Sequence, residues 1–217
     1  MAVETFGIED KKVDKELYDY QQKDIDKIFN VIDEHPEHYN LLYQLPTGGG
    51  KTVIFSQMVR EYIQRTQKKV LILTHRIELC KQTSNMLDGF GVRNKIINSK
   101  VKELPDQEDY MCFVAMVETL NNRLHDEKLE IKDIGLVIID ECHHVGARMF
   151  CRCLKKTIFK YTLGLSATPN REDGLTKVFK YNPDERYSSE DLLKHNFKGE
   201  IIWNSQKQHV KRFQKYQ

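Results

Sequence analysis

The segment Pro46-Thr47-Gly48-Gly49-Gly50-Lys51-Thr52 contains the parts of a triphosphate cradle. Glycines let consecutive backbone N–H groups turn inward on an anion, and a helix starting at the lysine adds the partial positive charge of its N-terminus. In such a loop Lys51 reaches the β and γ phosphates and the Thr52 hydroxyl binds Mg²⁺. The strict phosphate-loop pattern has glycine at position 45, where this chain has Leu45, so the assignment leans on a strand before the loop and a helix after it. The bland alternative is a glycine-rich turn with a solvated lysine. Downstream, Asp140-Glu141 closes the apolar run Leu136 to Ile139. Mg²⁺ prefers one or two carboxylates and several retained waters, so Asp140 suits a water-mediated contact to the metal. Glu141 can orient or deprotonate an attacking water, because phosphoryl transfer asks mainly for positioning and charge neutralisation. Alone, the pair reads as an acidic loop after a buried strand; the upstream loop gives it a task.

Those residues need a scaffold that brings strand ends together. Glu16 to Glu34 has Leu17, Tyr20, Ile25, Ile28, Phe29 and Ile32 at mostly helical spacings and stops before Pro36. Tyr39 to Leu45 is a strand, and Lys51 to about Arg65 a helix. The alternation continues: strand Val70 to Leu73, helix Arg76 to Leu87, strands Val92 to Ile97 and Met111 to Ala115, helix Val117 to Leu124, strand Leu136 to Ile139. A helix over Phe150 to Lys156 and a strand over Tyr161 to Leu165 follow, then a polar stretch with one short strand over Lys198 to Trp203. Strands apolar on both faces and alternating with helices predict an α/β, doubly wound, mainly parallel sheet covered by helices on both sides. Residues 16–178 form the expected domain, 1–15 an N-terminal extension and 179–217 an irregular basic C-terminal segment.

Composition narrows the partners. The chain has 217 residues, enough for one such domain, and a formal charge of +2, which excludes nucleic-acid binding by global charge alone. Any basic contact must be local. Met1 to Lys15 is charged and lacks a signal-type apolar core, and the apolar runs are too short to span a bilayer, so the expectation is a cytoplasmic protein with no membrane partner. Five cysteines without a C-x-x-C pair suit reduced thiols. Cys142-His143-His144 with Cys151 and Cys153 lacks the usual ligand spacings, so no zinc is expected.

Gly48 to Thr52, Asp140-Glu141-Cys142-His143 and Ser166-Ala167-Thr168 resemble motifs I, II and III of superfamily 2 DExH-box helicases. The likeness runs from about Leu17 to Val178 and is nearest the branch that holds type III restriction ATPase subunits and repair-type helicases. It implies a RecA-like P-loop NTPase fold, ATP and Mg²⁺ as cofactors, and a nucleic-acid partner, DNA ahead of RNA. Pro46 to Thr52 would hold the nucleotide, with Gln21 reading adenine, although the family's Arg-Pro before Tyr-Gln is Tyr18-Asp19 here. Lys51, Asp140, Glu141 and His143 would form the catalytic set, with Thr52 and Asp140 at the metal. Thr74, His75 and Arg76 resemble motif Ia, and Met116 to Leu120, with Thr119, the next strand-contacting motif. Read without the family, Arg76 and Thr119 are solvated helix-end residues. Ser166, Ala167 and Thr168, like His143, would couple nucleotide to strand.

Motifs IV to VI, with the arginines that a second RecA-like domain brings to the γ-phosphate, have no counterpart after Thr176, and Arg171 is no assured substitute. A second domain in cis or in trans is therefore expected. The leading expectation is an ATP-dependent helicase-type motor domain. The alternative is a free-standing nucleotide- or nucleic-acid-binding module with little turnover, acting as a scaffold. A small-molecule P-loop kinase fits Lys51 and Thr52 but leaves Asp140 to His143 and Ser166 to Thr168 without a role.

Overall fold

The apolar runs pair side by side. In the computed structural model, which describes residues 5–9, 13, 16–36, 39–45, 49–125, 129–142, 157, 159–166 and 199–203, they build one sheet. Its strands are β1 (Tyr39–Gln44), β2 (Lys69–Thr74), β3 (Asn94–Ile97), β4 (Cys112–Met116), β5 (Ile134–Ile139), β6 (Tyr161–Ser166) and β7 (Gly199–Trp203). The order is β3-β4-β2-β5-β6-β1-β7, and every pairing between these strands is parallel. The helices are α1 (Asp19–Glu34), α2 (Lys51–Thr66), α3 (Ile77–Gly89) and α4 (Val117–His125).

Period two along the strands and period near four along the helices divide the core into two layers. Leu41, Tyr43, Val70, Ile72, Val114, Leu136 and Ile138 face α1, α2 and α3, where Ile25, Ile28, Phe55, Met58 and Val59 are buried against them. Leu42, Leu71, Leu73, Phe113, Val137 and Ile139 face the other way and pack with Val117, Leu120 and Leu124 of α4. Both faces of β2, β5 and β6 are buried throughout, which is why these strands read as unbroken apolar runs. Each fully buried side chain of this type contributes roughly 1.5–3 kcal/mol.

Boundaries shift where caps decide them. α1 begins at Asp19 rather than Glu16, because Tyr18 is extended and its backbone N–H donates to the Gln21 side chain in a capping arrangement. Arg76, expected inside a helix, is the extended N-cap of α3. β3 starts two residues late, and Val92 instead makes an antiparallel bridge to Ile8. The N-terminal segment is thereby tied to the domain: Glu9 N–H donates to Gly91 O and Arg93 N–H to Gly7 O. The short run expected near residue 200 is β7, whose backbone pairs in parallel along β1 from Asn40 to Gln44. The sheet thus takes in a strand from beyond residue 178; its partner lies near the other end of the chain, where local sequence pattern gives no signal. The helix expected over Phe150 to Lys156 lies outside the described residues.

Candidate nucleotide site

Parallel strands place all their carboxyl ends on one edge of the sheet, the edge where open α/β folds bind ligands. Register sets the neighbours: Gln44 of β1 lies beside Ser166 of β6, Ile139 of β5 beside Gly164 of β6 and Leu73 of β2, and Thr74 of β2 beside Met116 of β4. The loop before α2, the Asp140-Glu141 pair and the turns after β2 and β4 therefore open on the same side. Gly49, Gly50, Lys51 and Thr52 are described there; Pro46, Thr47 and Gly48 lie outside the described residues.

Gly50 is the N-cap of α2, at φ 77°. That left-handed backbone, with a Cβ at Gly50 lying 2.5 Å from Gln21 Nε2, favours glycine over any residue with a Cβ. Lys51 and Thr52 open the first turn of α2, half-buried at its N-terminus. Across the edge, Asp140 N–H donates to Leu73 O at 2.9 Å, which extends the β5 ladder by one bond. Glu141 then turns sharply into the left-handed region, at φ 48°. Its Oε1 accepts a hydrogen bond from Lys51 Nζ, with the two side chains 24% and 11% exposed. Two motifs far apart in sequence thus meet through an ion pair.

Electrostatics at the pair are unbalanced. Burial, and then the neighbouring Glu141 charge, push the Asp140 carboxyl above the usual carboxylate range, against the opposing pull of Lys51. Two carboxylates facing one ammonium leave an excess of negative charge that a divalent cation would neutralise. The donor set fits Mg²⁺ with a triphosphate: a glycine at φ 77° capping the helix, a lysine at the helix N-terminus, a threonine hydroxyl beside it and hard oxygen ligands opposite. Cys142 is buried next door, and burial and the two acidic charges push its thiol up to about 12. Among the described residues no group of three or more His, Cys, Asp or Glu could hold a metal ion by itself.

Gln21 is 3% exposed, its Oε1 taken by Tyr18 N–H at 3.0 Å and its Nε2 turned to Gly50. The expected adenine reader therefore lies against the phosphate loop, with its amide already engaged. Thr74, one of the residues expected at a nucleic acid, is fully buried: its hydroxyl donates to Arg76 O at 3.1 Å and lies 3.0 Å from Cys80 Sγ, within the turn that follows β2. Arg76 is exposed and His75 half-buried just past the end of β2, and Thr119 is half-buried in the first turn of α4, which follows β4 directly. Ser166 is buried at the end of β6. His143, Ala167, Thr168 and Arg171 lie outside the described residues, as do Cys151 and Cys153.

Sequence reasoning missed a polar group beneath the loop. Tyr20 donates its hydroxyl to Gly49 O at 3.1 Å, and Tyr43 donates to Asp24 Oδ2 at 2.7 Å. The available signal was Asp24 itself, a charge inside the apolar stripe Ile25, Ile28, Ile32 of α1.

A parallel sheet with a glycine-capped lysine facing an Asp-Glu pair across its carboxyl edge defines a RecA-like P-loop NTPase domain of the superfamily 2 helicase type. The fold is shared with the UvsW helicase of bacteriophage T4, at a TM-score of 0.61 and 17% identity over 88% of this chain and 62% of that one. It is also shared with the Sulfolobus solfataricus SWI2/SNF2 ATPase core in complex with dsDNA, at a TM-score of 0.65 and 19% identity over 89% of this chain and 40% of that one. Residues 14–171 match the family described as type III restriction enzyme, res subunit, and the chain belongs to that family. The putative ATP-dependent helicase IRC3 of Saccharomyces cerevisiae is 37% identical over 171 residues, which are 72% of this chain and 24% of that protein. The chain thus spans about a quarter of that relative's length. Among the described residues no helix is long and apolar enough to cross a membrane.

Proposed function

We propose that this chain is the ATP-binding half of a helicase-type motor, which holds Mg²⁺-ATP at the β1–α2 loop and a nucleic-acid backbone along the neighbouring ends of β2 and β4. The Lys51–Glu141 contact is the observation that carries this reading, because it joins the two halves of a nucleotide site across the sheet edge. Backbone N–H groups from Gly49 onward and Lys51 would hold the phosphates, and Thr52 with Asp140 the metal. Bound Mg²⁺ supplies charge neutralisation on the phosphates. Glu141, released from Lys51, orients the attacking water and takes its proton. Gln21 is assigned to the base by motif alone, and its Nε2 lies beside Gly50 of the loop. Arg76, His75 and Thr119 are the nucleic-acid candidates at the surface, with DNA ahead of RNA; His143, Ser166, Ala167 and Thr168 are assigned to coupling by motif alone.

Turnover calls for a second RecA-like domain, in cis or in trans. An arginine supplied from outside this domain is worth about 10³- to 10⁵-fold in rate in P-loop enzymes. The chain alone should therefore bind ATP and hydrolyse it slowly, without unwinding a duplex. The test is titration calorimetry with Mg²⁺-ATP on wild type and Lys51→Ala, alongside phosphate release with and without single-stranded DNA or RNA. Lys51→Ala should lose at least about tenfold in affinity, the value of a charge-assisted phosphate contact. Equal binding by the two proteins would remove the site assignment, and fast hydrolysis by the isolated chain would remove the half-motor reading.

A further inference from the structure

Three side chains on the first turns of α1 point at the nucleotide loop and the strand that leads into it. Tyr20 reaches Gly49 O, Gln21 Nε2 lies against Gly50, and Asp24, one turn further on, accepts from Tyr43 of β1. Tyr20 and Asp24 are four residues apart and so share a helix face. Asp24 and Tyr43 are both fully buried, in a layer otherwise made of Ile25, Ile28, Leu41, Leu45 and Ile54. A carboxylate is costly to bury, and the contacts of this one include a 2.7 Å hydrogen bond from Tyr43 and a 3.5 Å approach of Lys27 Nζ. Apolar packing sets how closely α1 lies on the sheet, and a hydrogen bond adds a direction to that contact. The Tyr161 hydroxyl of β6 ties down the C-terminal end of α1, donating to Ile32 O at 3.3 Å and His35 O at 2.9 Å, and the Asp24–Tyr43 bond ties down the end nearer the loop.

We propose that Asp24 and Tyr43 form a buried latch that fixes the N-terminus of α1 over the phosphate loop, making them positioning residues for nucleotide binding that act through Tyr20 and Gln21. The proposal rests on the nucleotide-site reading above and assigns it two further residues. Neither latch residue touches the nucleotide. What they set is where the Tyr20 hydroxyl meets the Gly49 carbonyl and where the Gln21 amide sits beside Gly50. A small rotation of α1 would move both together, so loop shape and the base-side contact are tuned by one buried pair.

The experiment removes both partners of the latch and leaves Lys27, whose side chain is 47% exposed, to solvent. Asp24→Leu combined with Tyr43→Phe replaces the pair by apolar groups of nearly the same shape, a class of change often neutral to stability. Asp24→Asn keeps an acceptor for Tyr43 and is the conservative rescue. Mg²⁺-ATP affinity is measured by calorimetry for both, for Gln21→Ala, for Lys51→Ala, and for the latch-free protein carrying Gln21→Ala, with a thermal melt for each. Loss of the latch should weaken ATP binding by about fivefold to tenfold, the size of one misplaced hydrogen-bonded group, with the melt little changed. Asp24→Asn should bind within about twofold of wild type, since the bond persists. In the Gln21→Ala background the latch should cost much less, because its effect runs through that residue. Wild-type ATP affinity in the latch-free protein, with Lys51→Ala and Gln21→Ala both weakened, overturns the latch and leaves the site reading standing. A loss that adds fully to that of Gln21→Ala also overturns it, because it marks general destabilisation. Unchanged binding in Lys51→Ala sinks the site reading, and the latch with it.

Discussion

Removing the negative charge at Glu141 should tighten nucleotide binding while it stops hydrolysis. Lys51 Nζ donates to Glu141 Oε1, so a lysine that meets the phosphates does so in competition with a carboxylate. The two side chains are 11% and 24% exposed, which puts the pair between the surface and buried regimes. A partly buried ion pair of this kind is worth about 1 kcal/mol after desolvation and ordering costs. ATP binding must break it, so that energy is subtracted from the affinity. Glu141→Gln keeps the shape and removes the competitor, and should lower the dissociation constant by about fivefold. Calorimetry with a non-hydrolysable ATP analogue separates affinity from turnover, and repeating it at high salt should shrink the gain, because screening weakens the pair in the wild type first. Equal or weaker analogue binding by Glu141→Gln would show that the pair does not compete with nucleotide, and the reasoning would fail.

Two further outcomes follow from the same edge of the sheet. Gly50→Ala places a Cβ 2.5 Å from Gln21 Nε2 at φ 77°, so it should cost about 1–2 kcal/mol of stability and most ATP binding; an unchanged melt would remove the left-handed cap from the argument. Arg76→Ala should lower the slope of log affinity against log salt for single-stranded DNA by about 0.7, whereas Thr74→Val should leave that slope unchanged; the opposite ranking would move the nucleic-acid face.

The elements of the fold were legible because burial on both faces writes itself into sequence as uninterrupted apolar runs: β2, β5 and β6 were each readable to within two residues of an end. Asp140-Glu141 and Lys51 were legible because phosphate chemistry permits few residue types at few spacings. What escaped depended on distance along the chain. The pairing of β7 with β1 and the bridge of Ile8 to Val92 join segments whose local patterns say nothing about their partners. The burial of Thr74 had another reason: at the last position of a strand one residue decides between solvent and core, and the hydroxyl found its acceptor inside the turn, at Arg76 O. The Asp24–Tyr43 bond needs both the helix face and the strand face, neither of which carries the other's phase in the sequence.

The seat of β7 bears on how the domain can be shortened. Along Asn40 to Gln44 it occupies the outer hydrogen-bonding side of the strand that runs into the phosphate loop. A protein ending before Gly199 would leave that row of N–H and C=O groups open, flat and next to an apolar layer, which is the template on which extended chains add to one another. Solubility, rather than ATP affinity, would then be the first property to suffer, and the damage would begin at the strand carrying the site.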